Sequence, residues 1–522
     1  LSVLLNVSRL IADPAAREWV AATPSRILGV DVQSISALIA GADLERNNWV
    51  TLGRSISPTQ AIAFEGLNDE RFRIVDDYER AYVDASVFAH LIGYTGVGDG
   101  NRIVGKSGVE LAYDTLIRGH EGRSVLYEDA QGRTLGQRTV SEPQPTEPLR
   151  LTVDGALQRY FYHRLQAGLA ELGRTIGVGI ALDPRTGEIL SLVSLPSFDS
   201  NAFVDRSRSD ERARILASAA KPLFNRAISG EYSPGSVIKP LVALAGLRER
   251  VVTADAQAFS SGALEVPNPY VPEKPSMFLD WKAHGWVDVK SALARSSNVY
   301  FYLLGGGLPR GRTVAELLRG SFDPKGLGVE RLKTYWQVFG FGAKTGVDAP
   351  FESAGSLPDP AAHQARLREP WRIGDTYNVA IGQGDFLSTP LQLTRFMASV
   401  GNGGRLWRPF LRASATPELV GDYSTWRDEL ATVQAGLEDS VRASYGTSKI
   451  LQGVAMRVAG KTGTPQIANR TKINAFFAGY APADDPQIAV LVLIEDAREG
   501  SLNALPIARD VFEWYYEHRM RN

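Results

Sequence analysis

The chain of 522 residues contains no cysteine. That excludes disulfides, thiolate metal sites and a cysteine nucleophile together. Histidine is nearly as scarce, with six residues scattered along the chain and no H-E-x-x-H pair. No G-x-S-x-G elbow occurs. A G-x-x-x-x-G-K-[ST] match does occur, at Gly100–Ser107 inside a Gly-rich loop, but a lone short pattern of this kind is a weak signal. A histidine-based triad and a zinc peptidase are therefore poor readings, and no metal or other cofactor is expected. Charge of one sign is also missing. Lys+Arg 57 against Asp+Glu 58 gives −1, without the basic excess that nucleic-acid binding calls for. Long apolar runs are absent as well. The longest clean one, Ile488–Ile494, is seven residues, far short of the ~20 of a membrane span. No signal peptide is visible.

What is present is ordinary globular material, 44% hydrophobic and 22% charged, long enough for two to four domains. Residues 1–148 are short mixed segments, with a Gly-rich loop at Leu91–Gly108, a helix-like Val109–Arg118 and a hairpin-type turn at Asp129–Gly136. Glu142–Pro148 carries three prolines in seven residues, which reads as an extended linker and a domain boundary. Beyond it, Leu151–Val153 should begin a strand, and Asp154 should cap a helix running to Gly173. Ile176–Asp183 and Glu188–Leu195 read as a hairpin, Ile473–Tyr480 and Gln487–Glu495 as a second strand pair, and Pro506–His518 as a final helix. The expected fold is α+β: one antiparallel sheet drawn from both ends of 149–522, with helices packed on it.

The chemistry-bearing residues are serines and lysines. Ser236-Val237-Ile238-Lys239 follows a Pro234-Gly235 turn and opens an apolar run at helical spacing. Ser236 and Lys239 then share one face, and a serine hydroxyl needs a base that close. Burial or a second cation would favour the neutral amine. An S-x-x-K turns up by chance about once in a chain of this composition, and Ser218–Lys221 is a second copy without the turn-and-helix context. A helix cap is the plain alternative for Ser236. Ser296-Ser297-Asn298 interrupts an apolar helix or helix pair over Asp288–Leu304, where three polar residues need partners; a capped break is its plain alternative. Ser501-Leu502-Asn503 repeats the pattern after every other motif. Lys461-Thr462-Gly463-Thr464 adjoins the strand-rich end, where an edge strand could take an extended peptide. Gly463 permits close backbone approach there. Lys344-Thr345-Gly346 repeats the triplet in a Gly/Pro-flanked loop, and a structural turn is the plain reading of either copy.

The order S-x-x-K, S-x-N, K-T-G resembles that of penicillin-binding proteins and serine β-lactamases. With NRAISGEYSPGSVIKP, FGFGAKTGVDAP, GDTYNVAIGQGDFLSTPLQL, NGGRLWRP and AGKTGTPQ, the chain is similar over nearly its whole length to class B penicillin-binding proteins. The likeness is to the elongation-specific type. VGKSGVELAYDTLIRGHEG resembles that family's pedestal. The resemblance implies a pedestal of the dimerisation or partner-docking type over 1–148 and a transpeptidase domain over 149–522. It implies a D-Ala-D-Ala transpeptidase, with carboxypeptidase side activity, that cross-links stem peptides during elongation and is acylated by β-lactams. Ser236 would be nucleophile, Lys239 base and Ser296 proton shuttle. Asn298 would hold Lys239 and the substrate amide, Lys461 would supply positive charge, and Thr462 and Thr464 would bind substrate. The N–H groups of Ser236 and Thr464 would form the oxyanion hole. It further implies a place on the outer face of the bacterial inner membrane with an anchor upstream of Leu1. Its partners would be a SEDS-type glycosyltransferase and elongation-complex proteins, not nucleic acid. Three alternatives stay open: a β-lactamase or carboxypeptidase using water as acceptor, a division-type transpeptidase, and a penicillin-binding receptor without turnover. Asp385 stands where the family commonly has an aromatic.

Overall fold

The computed structural model describes residues 1–522 apart from 13–15, 43–48, 55, 77–79, 99–101, 120–121, 129–133, 143, 145, 147, 269–270, 272, 468–471, 498–499 and 522. The tips of the Gly-rich loop and of the 129–136 turn, and alternate residues of the proline-rich linker, lie outside the described residues. Two compact units emerge: Leu1–Pro148 with Asp199–Leu216, and Leu149–Phe198 with Ala217–Asn522.

In the first unit, Ser2–Asn6 lies between Trp49–Gly53 and Phe72–Val75 in an antiparallel three-stranded sheet. Its alternate residues Val3 and Leu5 are fully buried with Val20, Ile35, Leu52 and Phe64. The expected Val109–Arg118 helix forms as two short pieces, Gly108–Ala112 and Asp114–Ile117, broken at Tyr113. Glu110 is buried there against Arg80, Nε to Oε1 3.1 Å. The segment Asp199–Leu216 joins this unit by side-chain mimicry of a backbone pair. Asn201 Nδ2 donates to Tyr82 O at 3.0 Å, and Tyr82 N–H donates to Asn201 Oδ1 at 2.9 Å. Phe203 stacks on Tyr94 at 4.1 Å.

The second unit is built on an antiparallel sheet ordered Ala459–Gly463, Lys472–Ala481, Ile488–Ala497, Gly177–Leu182, Ile189–Leu195. It is drawn from both ends of the unit, as the strand signals require. Its inner strands are apolar on both faces because helices cover both. Phe477 meets Phe512 of the final helix edge-on at 6.3 Å. Tyr480 lies against Gly401 of helix Pro390–Gly401, where a Cβ would come within 2.8 Å of the ring. Three residues apart on one strand, the two rings point to opposite faces. Every residue of Pro390–Gly401 is buried, including the polar stripe Gln392, Arg395 and Ser399, whose side chains donate to the carbonyls of Ala343, Thr345 and Phe396.

Asp154 caps helix Gly155–Glu171, accepting from Ala156 N–H and Leu157 N–H. Leu151–Val153 is not a strand: Leu151 makes one isolated bridge to Arg412. Three residues ending on a helix cap leave no length for a ladder. The final helix starts earlier than its proline suggests, over Gly500–Tyr515 with Pro506 inside, and closes in a π-turn at Tyr516–Met520.

Candidate active site

Pro234 and Gly235 turn the chain into a 3₁₀ segment, Gly235–Ile238, that continues as helix Lys239–Arg248. Ser236 thus sits one turn before Lys239, and the Lys239 N–H donates to Ser236 O. The turn is wedged tightly. Gly235 has φ +55°, and a Cβ on it would lie 2.8 Å from Pro465 Cδ. Its N–H donates to Gly382 O at 2.9 Å. Only glycine fits a left-handed position between two such neighbours. Gly463 serves the same closeness from the other side, with Val237 Cγ2 2.9 Å from where its Cβ would be. The S-x-x-K turn and the K-T-G strand are therefore in direct contact.

Helices Val289–Arg295 and Asn298–Gly306 are separated by Ser296 and Ser297. Ser296 closes the first in the left-handed region, φ +58°, and Ser297 caps the second. A non-glycine residue in the left-handed region is uncommon, and this one sits in a buried break between two helices. The break aims its polar groups at one amine. Lys239 Nζ, fully buried, donates to Ser296 O at 2.8 Å, Ser297 O at 3.1 Å and Asn298 Oδ1 at 2.8 Å, with Ser296 Oγ at 3.5 Å. Asn298 Nδ2 donates to Leu279 O at 3.0 Å, so its oxygen is the atom facing the lysine. Burial brings the Lys239 pKa down to about 7, against a smaller upward pull from Asp280.

Asp280 was not legible as a site residue. Its carboxylate accepts from Ser260 Oγ, Ser297 Oγ and the N–H groups of Trp281, Asn298 and Val299, at 2.8–3.1 Å. Burial alone would raise its pKa, yet these donors, His284 and Lys239 hold it well below the ordinary carboxylate range. Asp280 follows the hairpin Ala263–Val266/Ser276–Leu279, so it anchors the S-S-N break from a different part of the chain.

The K-T-G strand Ala459–Gly463 is the edge of the sheet, paired on one side with Lys472–Ala481. Lys461 is fully buried, and its Nζ donates to Thr462 O at 3.1 Å. Burial, and secondarily the charge of Lys239, press its pKa well below the usual lysine value. Thr447 ties the motifs together: its N–H donates to Ala294 O at 3.2 Å, and its Oγ1 accepts from Thr462 Oγ1 at 3.1 Å. Thr464, just past the strand, is exposed. Ser236, Lys239, Ser296, Asn298, Lys461, Thr462, Gly463 and Thr464 thus belong to one connected region. Ser236 Oγ makes no hydrogen bond to another described residue.

The duplicate motifs are explained by their surroundings. Lys221 is exposed in a turn, φ +49°, outside any helix. Lys344 is exposed in a loop, where Glu352 accepts from Thr345 N–H at 2.7 Å, Thr345 Oγ1 at 2.5 Å and Gly346 N–H at 3.1 Å. This is a carboxylate-capped turn with no strand edge beside it. Ser501 opens the final helix, and its side chain lies outside the described residues.

Residues 177–513 match the penicillin-binding protein transpeptidase domain, and residues 7–151 match the penicillin-binding protein dimerisation domain. The chain belongs to the penicillin-binding transpeptidase family. Within that family it is similar to peptidoglycan D,D-transpeptidase MrdA of Haemophilus influenzae, 31% identical over 489 residues covering 85% of this chain and 70% of that protein. The same enzyme of Acinetobacter baumannii is 32% identical over 489 residues, covering 86% and 68%. Penicillin-binding protein 2 of Helicobacter pylori, solved with MreC, has the same fold, with TM-score 0.80 and 24% identity over 99% of this chain and 94% of that one. A peptidoglycan synthase complex that coordinates polymerization and crosslinking contains a chain with TM-score 0.71 and 26% identity, covering 100% of this chain and 88% of that one. This penicillin-binding transpeptidase is accordingly an elongation-type peptidoglycan D,D-transpeptidase of α+β fold.

Proposed function

We propose that Ser236 is the nucleophile of a two-step acyl transfer and that Lys239 is its base. The observation that carries this is the lysine amine: fully buried, one turn after the serine, and held by Ser296, Ser297 and Asn298 together. Three acceptors meet the three N–H bonds of the ammonium form. The neutral amine has two, which frees a lone pair for the serine proton. With a pKa near 7, both forms are populated at neutral pH.

Ser236 Oγ attacks the carbonyl carbon between the two terminal D-Ala residues of a stem peptide and passes its proton to Lys239. The C–N bond breaks, and the leaving D-Ala amine takes a proton through Ser296. An amine of a second stem peptide then attacks the Ser236 ester, forming the cross-link and restoring the hydroxyl. A β-lactam acylates Ser236 the same way, its ring amide replacing the D-Ala-D-Ala bond. Asn298 holds Lys239 and the substrate amide, and Thr462 and Thr464 bind substrate along the strand edge. The N–H groups of Ser236 and Thr464 receive the oxyanion, where one lost donor costs about 3 kcal/mol in comparable enzymes. Lys461 supplies positive charge for the substrate carboxylate; burial disfavours its charged form, and a carboxylate beside it favours that form.

Residues 149–522 carry this chemistry. Residues 1–148, with none of the three motifs, dock partners: elongation-complex proteins and a SEDS-type glycosyltransferase that makes the strands. The chain works on the outer face of the inner membrane, held by an anchor upstream of Leu1; no described helix is long and apolar enough to cross a membrane. The reaction is tested by supplying a donor pentapeptide strand and an acceptor amine and resolving the products. Cross-linked dimer with release of D-Ala supports transfer, whereas hydrolysed tetrapeptide alone makes the chain a carboxypeptidase. Coupling is tested with Ser236→Ala in the full chain, which should still stimulate the glycosyltransferase. Loss of that stimulation would mean coupling runs through the chemistry and not through docking.

A further inference from the structure

Asp385 follows Ile381-Gly382-Gln383-Gly384, and neither the motif chemistry nor the core accounts for it. Its carboxylate lies between two basic side chains. Oδ2 is 2.6 Å from His363 Nδ1, and Oδ1 accepts from Arg366 Nη2 at 2.5 Å. His363 and Arg366 are three residues apart on helix Pro360–Leu367 and so share a face. An ionised carboxylate only accepts, which places the imidazole proton on Nδ1. Trp371 packs edge-on against the imidazole at 5.1 Å and is itself fixed by Nε1 donating to Thr376 Oγ1 at 2.9 Å.

The segment that Asp385 tethers needs a tether. Gly382 and Gly384 both have left-handed backbones, φ +75° and +72°, and glycines hold no conformation by themselves. Yet this segment forms one wall of the serine turn. Gly382 O accepts the Gly235 N–H at 2.9 Å, and Ser388 exchanges both backbone hydrogen bonds with Tyr232, each 2.9 Å. A Cβ on Gly382 would lie 2.3 Å from Gly235 O, so the two chains touch with no slack. On its far side the segment is laced to Ser356 by two bonds from and to Leu387, 2.8 and 2.9 Å.

We propose that Asp385 is a positioning residue for acyl transfer: by clamping segment 382–388 to His363 and Arg366, it keeps the Gly235–Ser236 turn in register with Lys239 and the K-T-G strand. The inference rests on Ser236 being the nucleophile. Because misplacing a reacting atom by about 1 Å can cost about 100-fold, a clamp on the wall of the turn acts on the rate of the covalent step, not on the affinity that precedes it.

The test uses the full chain and a fluorescent penicillin in stopped flow, separating the dissociation constant of the first complex from the acylation rate constant. Asp385→Asn keeps the shape and loses the charge that Arg366 holds; acylation should slow about 5–10-fold with the dissociation constant within twofold. Arg366→Met should give a similar loss, and the double variant should be no slower than Asp385→Asn alone, since both break one contact. Asp385→Leu should be slower still; if it fails to fold, the other variants decide. Acylation within twofold of wild type in Asp385→Asn and Arg366→Met would overturn the proposal, as would a weakened first complex with an unchanged acylation rate. Label persisting in Ser236→Ala would sink the nucleophile assignment instead, which keeps the two failures apart.

Discussion

Asp280→Asn perturbs the site through a charge that touches no substrate in the proposed mechanism. Lys239 titrates near 7, a balance in which burial pulls its pKa down and Asp280 pulls it up. Acylation needs the neutral amine, so its rate should climb tenfold per pH unit on the acid side and level off above about 7. At pH 5 wild type should retain about 1% of its plateau. Two hydrogen bonds and one residue separate the two charges, a spacing of order 7 Å; at an effective dielectric near 20 such a pair is worth about 2 kcal/mol. Removing the carboxylate charge should therefore move the acid limb down by about one to two pH units. At pH 5 the variant should keep about 10% or more of its own plateau. The plateau itself should fall, because an amide nitrogen placed among five donors leaves some unpaired, and breaking such a buried cluster costs about 3–5 kcal/mol. Normalised pH–rate profiles between pH 5 and 9, from stopped-flow acylation, separate the two effects. An acid limb that stays in place or moves to higher pH would refute the electrostatic account of Lys239. The same depressed pKa makes a stability statement. From the ordinary 10.5 down to about 7 the unfolded chain binds the extra proton, so this group's contribution to stability rises with pH across that window.

Further outcomes follow from the geometry. Lys344→Ala should leave acylation within about twofold, whereas Lys461→Ala should lower it by orders of magnitude; equal damage would mean the wrong K-T-G was assigned. Glu352→Gln should lower the thermal midpoint, with about 1–3 kcal/mol lost from the turn it caps, while the folded protein acylates normally. Gly235→Ala should cost about 2–4 kcal/mol, from a left-handed alanine and its clash with Pro465, and should slow acylation by the accompanying shift of Ser236. Chelator treatment should leave penicillin binding unchanged, and a loss restored by zinc would count against a metal-free mechanism.

The parts of the fold carried by periodicity and turn chemistry could be read from the chain. The hairpin Gly177–Leu182/Ile189–Leu195 turns at Asp183–Gly187, and the pair Lys472–Ala481/Ile488–Ala497 contains the longest apolar run. The break at Ser296–Ser297 was visible as polar residues in an apolar helix, but its left-handed Ser296 was not. What stayed hidden depends on long-range placement. Asp280 is an unremarkable Asp until a hairpin carries it under Ser297. Thr447 matters only because it lands between Ala294 and Thr462. Asp199–Leu216 follows the hairpin in sequence yet packs with the first unit, through Asn201 and Phe203, contacts that no local pattern announces. Asp385 stands out in the sequence, but its partners His363 and Arg366 come from a helix some twenty residues earlier.

The most direct test of the central claim is mass spectrometry of the full chain after incubation with a labelled penicillin. One acyl group should be found, on the peptide containing Ser236. It should be absent from Ser236→Ala and present at the wild-type level in Ser218→Ala. Label on Ser218, on more than one serine, or still present in Ser236→Ala would contradict the account.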